Sequence, residues 1–205
     1  MTKKRINIEA IDACLPQTQC GECGYPGCRP YAAAIVHGEA KIDACPPGGV
    51  DTLYALAKAL ELDAAPYEKT VRKNTRSPKT AIIREAECIG CTKCLPACPV
   101  DAIIGSAKQL HHVIPNECTG CGLCVEPCPV DCIDLVNIPK AAYTPDIARS
   151  RHEAKQLRVL QKAQTKERTY QAKRHLNQTD NPSNQADKAA KRAYILDALK
   201  RSQKK

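Results

Sequence analysis

Two stretches of this sequence carry cysteine at the same spacing: Cys88-x2-Cys91-x2-Cys94-x3-Cys98-Pro99 and, thirty residues on, Cys118-x2-Cys121-x2-Cys124-x3-Cys128-Pro129. Thiolates so arranged suit iron–sulfur chemistry. Three sulfurs on a tight loop surround one face of a [4Fe–4S] cubane, and a fourth must arrive from elsewhere. In such runs the cysteine before proline serves the other cluster, so the chain crosses between sites. That assigns Cys88, Cys91, Cys94 and Cys128 to one cluster, and Cys118, Cys121, Cys124 and Cys98 to a second. Gly90 and Gly120 let each loop turn closely around the site. Pro99 and Pro129 end the short helix behind each loop. Structural zinc also uses Cys-x2-Cys pairs, but normally two separated pairs rather than one continuous run.

A third set, Cys20-x2-Cys23-x4-Cys28-x16-Cys45-Pro46, is spaced more loosely. Three of its cysteines sit on a loop rich in glycine (Gly21, Gly24, Gly27), and the fourth returns after a helix. Spacing alone leaves both a cluster and zinc open here, since both accept four thiolates. Two of the 14 cysteines remain. Cys132 aligns with Ala102 in the repeat, which predicts a small apolar slot. Cys14 reads the same way, as a buried small hydrophobe, with a redox-sensitive thiol as the sharper alternative. The histidines at 37, 111, 112, 152 and 175 are scattered, and none is expected to be catalytic.

The elements that must position these cysteines are short. Glu87–Ile104 and Glu117–Asp134 match at ten of eighteen positions. Each half reads as a strand (Ala81-Ile82-Ile83; Leu110 to Ile114), a cysteine loop and a short helix. Upstream, Arg29 to His37 reads as a helix with Gly38 just past its end. Val50 to Leu62 is a second, with Leu53, Leu56, Ala57 and Leu60 at helical spacing and Asp51 as its cap. Downstream, Thr144-Pro145 opens a long charged helix from Ile147 to about Leu176. A break follows at Asn181-Pro182-Ser183, then a helix over Ala186 to Leu199. The expected fold class is α+β. It comprises a small helical metal domain (1–65), a linker (66–80), a bacterial two-[4Fe–4S] ferredoxin-like domain (81–138) and a basic tail (139–205), helical or partly disordered.

Composition bounds the partners. With no Trp, no Phe and seven Tyr in 205 residues, an aromatic core is unavailable, so metal sites are expected to staple the fold. Met1-Thr2-Lys3-Lys4-Arg5 leads into no apolar run. This predicts a cytoplasmic chain with reduced thiols and no transmembrane segment. Residues 1–150 hold 16 Lys/Arg and 17 Asp/Glu, whereas residues 151–205 hold 15 and 5. The tail's positive charge suits a redox partner or an anionic membrane surface. Nucleic acid is the weaker partner class, because the tail lacks interleaved aromatics. Free of cysteine, the tail after Lys140 is expected to be dispensable for cluster binding.

The stretch from Leu15-Pro16-Gln17-Thr18-Gln19-Cys20 through Cys28-Arg29-Pro30-Tyr31-Ala32 resembles the B subunit of the Rnf (or Rsx) electron transport complex. So do Cys45-Pro46-Pro47-Gly48-Gly49 and the run from Cys88 to Ile103. The resemblance covers about residues 8–137. It implies that Cys20, Cys23, Cys28 and Cys45 hold a [4Fe–4S] cluster, making three clusters in all. It also implies electron relay in a membrane complex that couples ferredoxin and nicotinamide redox chemistry to ion movement, with that complex's other subunits as partners. In some bacteria the complex also keeps an iron–sulfur redox sensor reduced. The family begins with an apolar anchor, and this sequence resembles an anchorless form, peripheral at the cytoplasmic face. Two alternative roles are a soluble ferredoxin-type donor to reductive enzymes and a nucleic-acid-associated iron–sulfur protein. No catalytic acid, base or nucleophile is identified.

Overall fold

Without Phe or Trp the chain builds two small cores from aliphatic, alanine, tyrosine and cysteine side chains. The computed structural model describes residues 7–178 and 182–202. The charged stretch Met1 to Arg5 and part of the expected break, at Asn181, lie outside them. The chain divides into two units, Met1–Gln156 and Leu157–Lys205.

In the first unit, four helices form the N-terminal lobe: α1 (Ile8–Ala13), α2 (Cys28–Val36), α3 (Gly49–Leu60) and α4 (Ala65–Asn74). Ile11, Leu15, Tyr31, Ile35, Leu53, Leu56 and Val71 pack at its centre. The Tyr31 hydroxyl donates to Lys41 O at 2.7 Å and accepts from Ala44 N at 3.3 Å, which fixes the chain just before Cys45. Two local expectations are corrected. Asp51 sits in the first turn of α3 but does not cap it, since Gly48 is the N-cap and no side chain bonds there. The 66–80 linker is mostly structured: α4 occupies it to Asn74, started by a proline that needs no N–H in the first turn and anchored by buried Val71.

The second lobe holds two antiparallel ribbons. β1 (Lys79–Ile83) pairs with β4 (Ile133–Asn137), and β2 (Ile103–Ile104) pairs with β3 (His112–Val113). Each ribbon joins a strand from one half of the repeat to a strand from the other. In the first half, α5 (Cys94–Ala97) follows the cysteine loop. The second half makes only turns there. Pro96 stands at the third helical position, where a missing N–H costs nothing. Pro127 stands one place later in its half, where it removes the donor that would close the helical turn.

The long helix α6 (Pro145–Gln178) begins inside the first unit. Ala148 is buried in the ferredoxin-like core, and Tyr143 donates to Pro16 O at 2.9 Å. Arg149 bonds both the carboxylate (2.8 Å) and the backbone carbonyl (3.1 Å) of Asp12, a residue only 4% exposed. Arg151 donates to the carbonyls of Val100 and Asp101 and pairs with Glu117. One short helical segment thus ties both lobes, and the compact body runs to residue 156 rather than 138. In the second unit, the rest of α6 and α7 (Pro182–Ser202) carry exposed apolar residues, among them Leu160, Tyr170, Tyr194 and Leu196. Their pairs include i,i+4 pairs such as Arg201–Asp197 at 2.8 Å.

The tail is therefore not uniformly dispensable. Truncation after Gln156 should leave iron content and melting temperature near those of the full chain. Truncation after Lys140 should lower both. Arg149→Met alone should cost about 3 kcal/mol, because it leaves a buried carboxylate without its cation. Thermal melts beside iron quantitation check all three.

Candidate iron–sulfur centres

The N-terminal site is built by a loop that turns back twice. Gln17 and Gln19 both adopt positive φ (58° and 55°) and are buried, which is unusual for non-glycine residues. Their amides form a relay that holds the loop. Gln17 Nε2 donates to Asp12 O (2.7 Å) and Gln19 Nε2 to Gln17 Oε1 (2.8 Å), while Gln19 Oε1 accepts from Cys28 N (2.9 Å). Gly27 must lack a side chain, since a Cβ there would stand 2.8 Å from Gln19 Oε1. Cys20, Cys23, Cys28 and Cys45 thereby line one hollow, together with Leu15, Tyr31 and Pro46. Thr18 Oγ1 lies 3.4 Å from Cys20 Sγ as a donor.

In the ferredoxin-like lobe, Cys88, Cys91, Cys94 and Cys128 line a second hollow. Cys98 lies beside Cys118, Cys121 and Cys124, close enough that their charges act on one another. The ribbon pairing brings the cysteine before proline across to the opposite loop. Backbone donors serve two of the sulfurs: Ala102 N to Cys98 Sγ at 3.2 Å and Ala81 N to Cys118 Sγ at 3.4 Å. Gly120, at φ 65°, passes so near the Lys79 carbonyl that a Cβ would overlap it. The two lobes meet where Thr119 Oγ1 donates to Thr18 O at 3.0 Å, beside Arg76, which pairs with Glu22 and donates to Gly120 O.

Burial pushes the thiols of Cys28, Cys45 and Cys124 up to about 12, and those of Cys94 and Cys121 up to about 11. Neighbouring cysteines add to the rise. Among the described residues, no three His, Cys, Asp or Glu side chains converge tightly enough to hold one metal ion. Four thiolates are a donor set that a [4Fe–4S] cluster accepts.

Residues 81–135 match the 4Fe-4S dicluster domain family, and residues 15–47 match an Fe-S cluster family. Relatives named as the B subunit of an ion-translocating oxidoreductase complex match over a longer span. The protein of Shewanella loihica is 62% identical over 131 residues, covering 64% of this chain and 68% of that protein. That of Hahella chejuensis is 61% identical over 132 residues (64% and 66%), and that of Pseudomonas aeruginosa 61% over 131 (64% and 68%). The chain belongs to the family of B subunits of ion-translocating oxidoreductase complexes. It spans about two thirds of the length of these relatives. As a member of this family it is an iron–sulfur electron-transfer protein with an α+β fold that includes a 4Fe-4S dicluster domain.

Several residues that shape the sites carry little or no signal in the sequence. His111 is 2% exposed, with Nδ1 at 3.5 Å from Cys94 Sγ and 3.7 Å from Cys88 Sγ, and its Nε2 has no partner. It occupies the place in the repeat that Ala81 holds in the first half, seven residues before the first cysteine, and that asymmetry is a readable signal. His152 bonds Pro99 O at 3.0 Å, whereas His112 pairs with Glu85 at the surface. Cys132 is buried with its sulfur 3.6 Å from that of Cys128, and Cys14 is half-buried and donates to Ala10 O. The Gln17–Gln19 relay has no sequence signal of its own.

Gln19→Ala should leave Cys28 N–H buried without an acceptor, costing about 1–3 kcal/mol. The expected outcome is selective loss of iron from the N-terminal site on mild chelation, with about two thirds of the iron retained if three four-iron sites are loaded. Chelation followed by absorbance and iron quantitation checks it.

Proposed function

We propose that this chain carries three [4Fe–4S] clusters, one in residues 1–65 and two in 81–138, and relays electrons between redox partners. Cys20, Cys23, Cys28 and Cys45 would hold the first. Cys88, Cys91, Cys94 and Cys128 would hold the second, and Cys118, Cys121, Cys124 and Cys98 the third. The observation that carries the reading is the gathering of Cys20, Cys23, Cys28 and Cys45 around one hollow and of Cys88, Cys91, Cys94 and Cys128 around another. Bound clusters of this kind supply reversible one-electron chemistry. The chain's own part is to fix the sulfurs, donate N–H groups to them and exclude water. Contact between the Cys20 and Cys118 loops at Thr18 and Thr119 supports a serial order, with the Cys118 set in the middle.

The relatives are named as subunits of an ion-translocating oxidoreductase complex. Other subunits of such a complex are the partners we propose here. Among the described residues, no helix is long and apolar enough to cross a membrane. The basic unit 157–205 is instead proposed to reach an anionic membrane surface at the cytoplasmic face, where each basic residue contributes about 1 kcal/mol.

Anaerobic reconstitution should give about twelve iron and twelve sulfide per chain. A plateau near eight iron with one zinc would overturn the count. Cys98→Ser should alter the paramagnetic signal of the cluster held by Cys118, Cys121 and Cys124. A change confined to the Cys88 cluster would overturn the crossed assignment. Binding to anionic vesicles should be strong for the full chain at 0.1 M salt and weak at 1 M, as the Debye length falls from ~10 Å to ~3 Å. Truncation after Gln156 should abolish that binding, and equal binding by both forms would remove the membrane role.

A further inference from the structure

Lys155 is an unusual lysine. It is 7% exposed although it lies on the charged helix α6. Its ammonium donates to the carbonyls of Leu95 (3.4 Å), Pro96 (2.8 Å) and Cys98, and lies 3.5 Å from the Asp101 carboxylate. Arg151 and His152, one turn earlier, bond the carbonyls of Val100, Asp101 and Pro99. Three consecutive basic contacts thus wrap the segment 95–101, with Cys98 at its centre. Lysine is seldom buried this far, because desolvating an ammonium is costly unless acceptors surround it. Here the end of α5 supplies them, since its last carbonyls have no partner inside the helix. Both sequence-family matches end before residue 155.

We propose that Lys155 is a potential-setting residue for the cluster that Cys98 ligates, holding a fixed positive charge beside that ligand and raising the cluster's reduction potential relative to the cluster on the far side of the lobe. The physical basis is electrostatic. Reduction adds one electron and one negative charge to the cluster, and no bond forms or breaks. A nearby cation in a water-poor site stabilises the more negative state. The repeat offers no counterpart. The second half makes only turns after its cysteine loop, so no helix end presents carbonyls beside Cys128.

The inference rests on the cluster reading above, and its test separates the two. The full-length reconstituted chain is titrated with dithionite as external reductant and followed by paramagnetic resonance. Cys98→Ser first identifies which signal belongs to the Cys98 cluster, whether or not the ligation is crossed. Lys155→Met should shift the midpoint of that one signal downward and leave the others in place, whereas Lys155→Arg should keep it near the parent value. Asp101→Asn removes the opposing carboxylate while keeping the lysine, and asparagine tolerates the positive φ at this position (51°). It should shift the same midpoint upward. Iron content is measured for each variant, so that a loss of cluster is not read as a shift. If Lys155→Met fails to hold iron, the upward shift in Asp101→Asn carries the test. Unchanged midpoints in iron-replete variants, or a shift in a cluster that Cys98 does not ligate, overturn the proposal. A Cys98→Ser effect on the Cys88 cluster would overturn the crossed ligation alone.

Discussion

Four cysteine sulfurs converging in a desolvated hollow repel one another once ionised. Burial pushes Cys28, Cys45 and Cys124 up to about 12, so loading these sites places charge where the hollow opposes it. Loading releases protons and so weakens as the pH falls. The fold meets the charge with oriented backbone N–H groups, as at Cys98 and Cys118, rather than with surface cations. This constraint also explains how so little aromatic content suffices. Seven of the residues in the two buried cores are cysteines, and most of the rest are small or aliphatic.

Crossed placement of Cys98 and Cys128 follows from strand pairing. β1 precedes the first cysteine loop and pairs with β4, which follows the second. β2 follows the first loop and pairs with β3, which precedes the second. Each ribbon therefore lays the end of one half against the start of the other. A register slip of one residue would turn Ala81 and Ile83 outward, since strand side chains alternate. Pairing and cysteine placement are thus the same structural event. The start of α6 secures it from outside, with Ala148 in the core and Arg151 across residues 100 and 101.

The parts legible in the sequence were those with a local code. Cysteine spacing, the thirty-residue repeat, the leucines of α3 and the start of α6 at Pro145 all reside in neighbouring residues. What was not legible depended on distant partners. Gln17 and Gln19 look like loop residues until Cys28 N–H needs an acceptor. The stretch 66–80 reads as a linker because it is polar and has two prolines, yet Pro66 suits a helix start and Val71, with Tyr67 beside it, anchors it. Arg149, Arg151 and Lys155 read as solvated charge because sequence pattern says nothing about bare carbonyls elsewhere. The segment that closes the body therefore reads, in sequence, as part of the tail.

The repeat is most symmetric at its ligands and least symmetric around them. Two cubanes with the same four thiolates differ only through hydrogen bonds, solvent and nearby charge. Ala81 offers one site a backbone N–H, whereas His111, at the equivalent place, puts a buried ring beside Cys88 and Cys94. Cys132 stands where the first half has Ala102, and its sulfur touches that of Cys128. Pro127 forbids the turn of helix that Pro96 permits, so the carbonyls that gather around Lys155 have no counterpart in the second half. A perfectly symmetric pair would give an electron no preferred direction between its two sites. The substitutions that break the repeat fall on the residues that touch sulfur or the backbone beside it, where a small change in sequence acts on the clusters most directly.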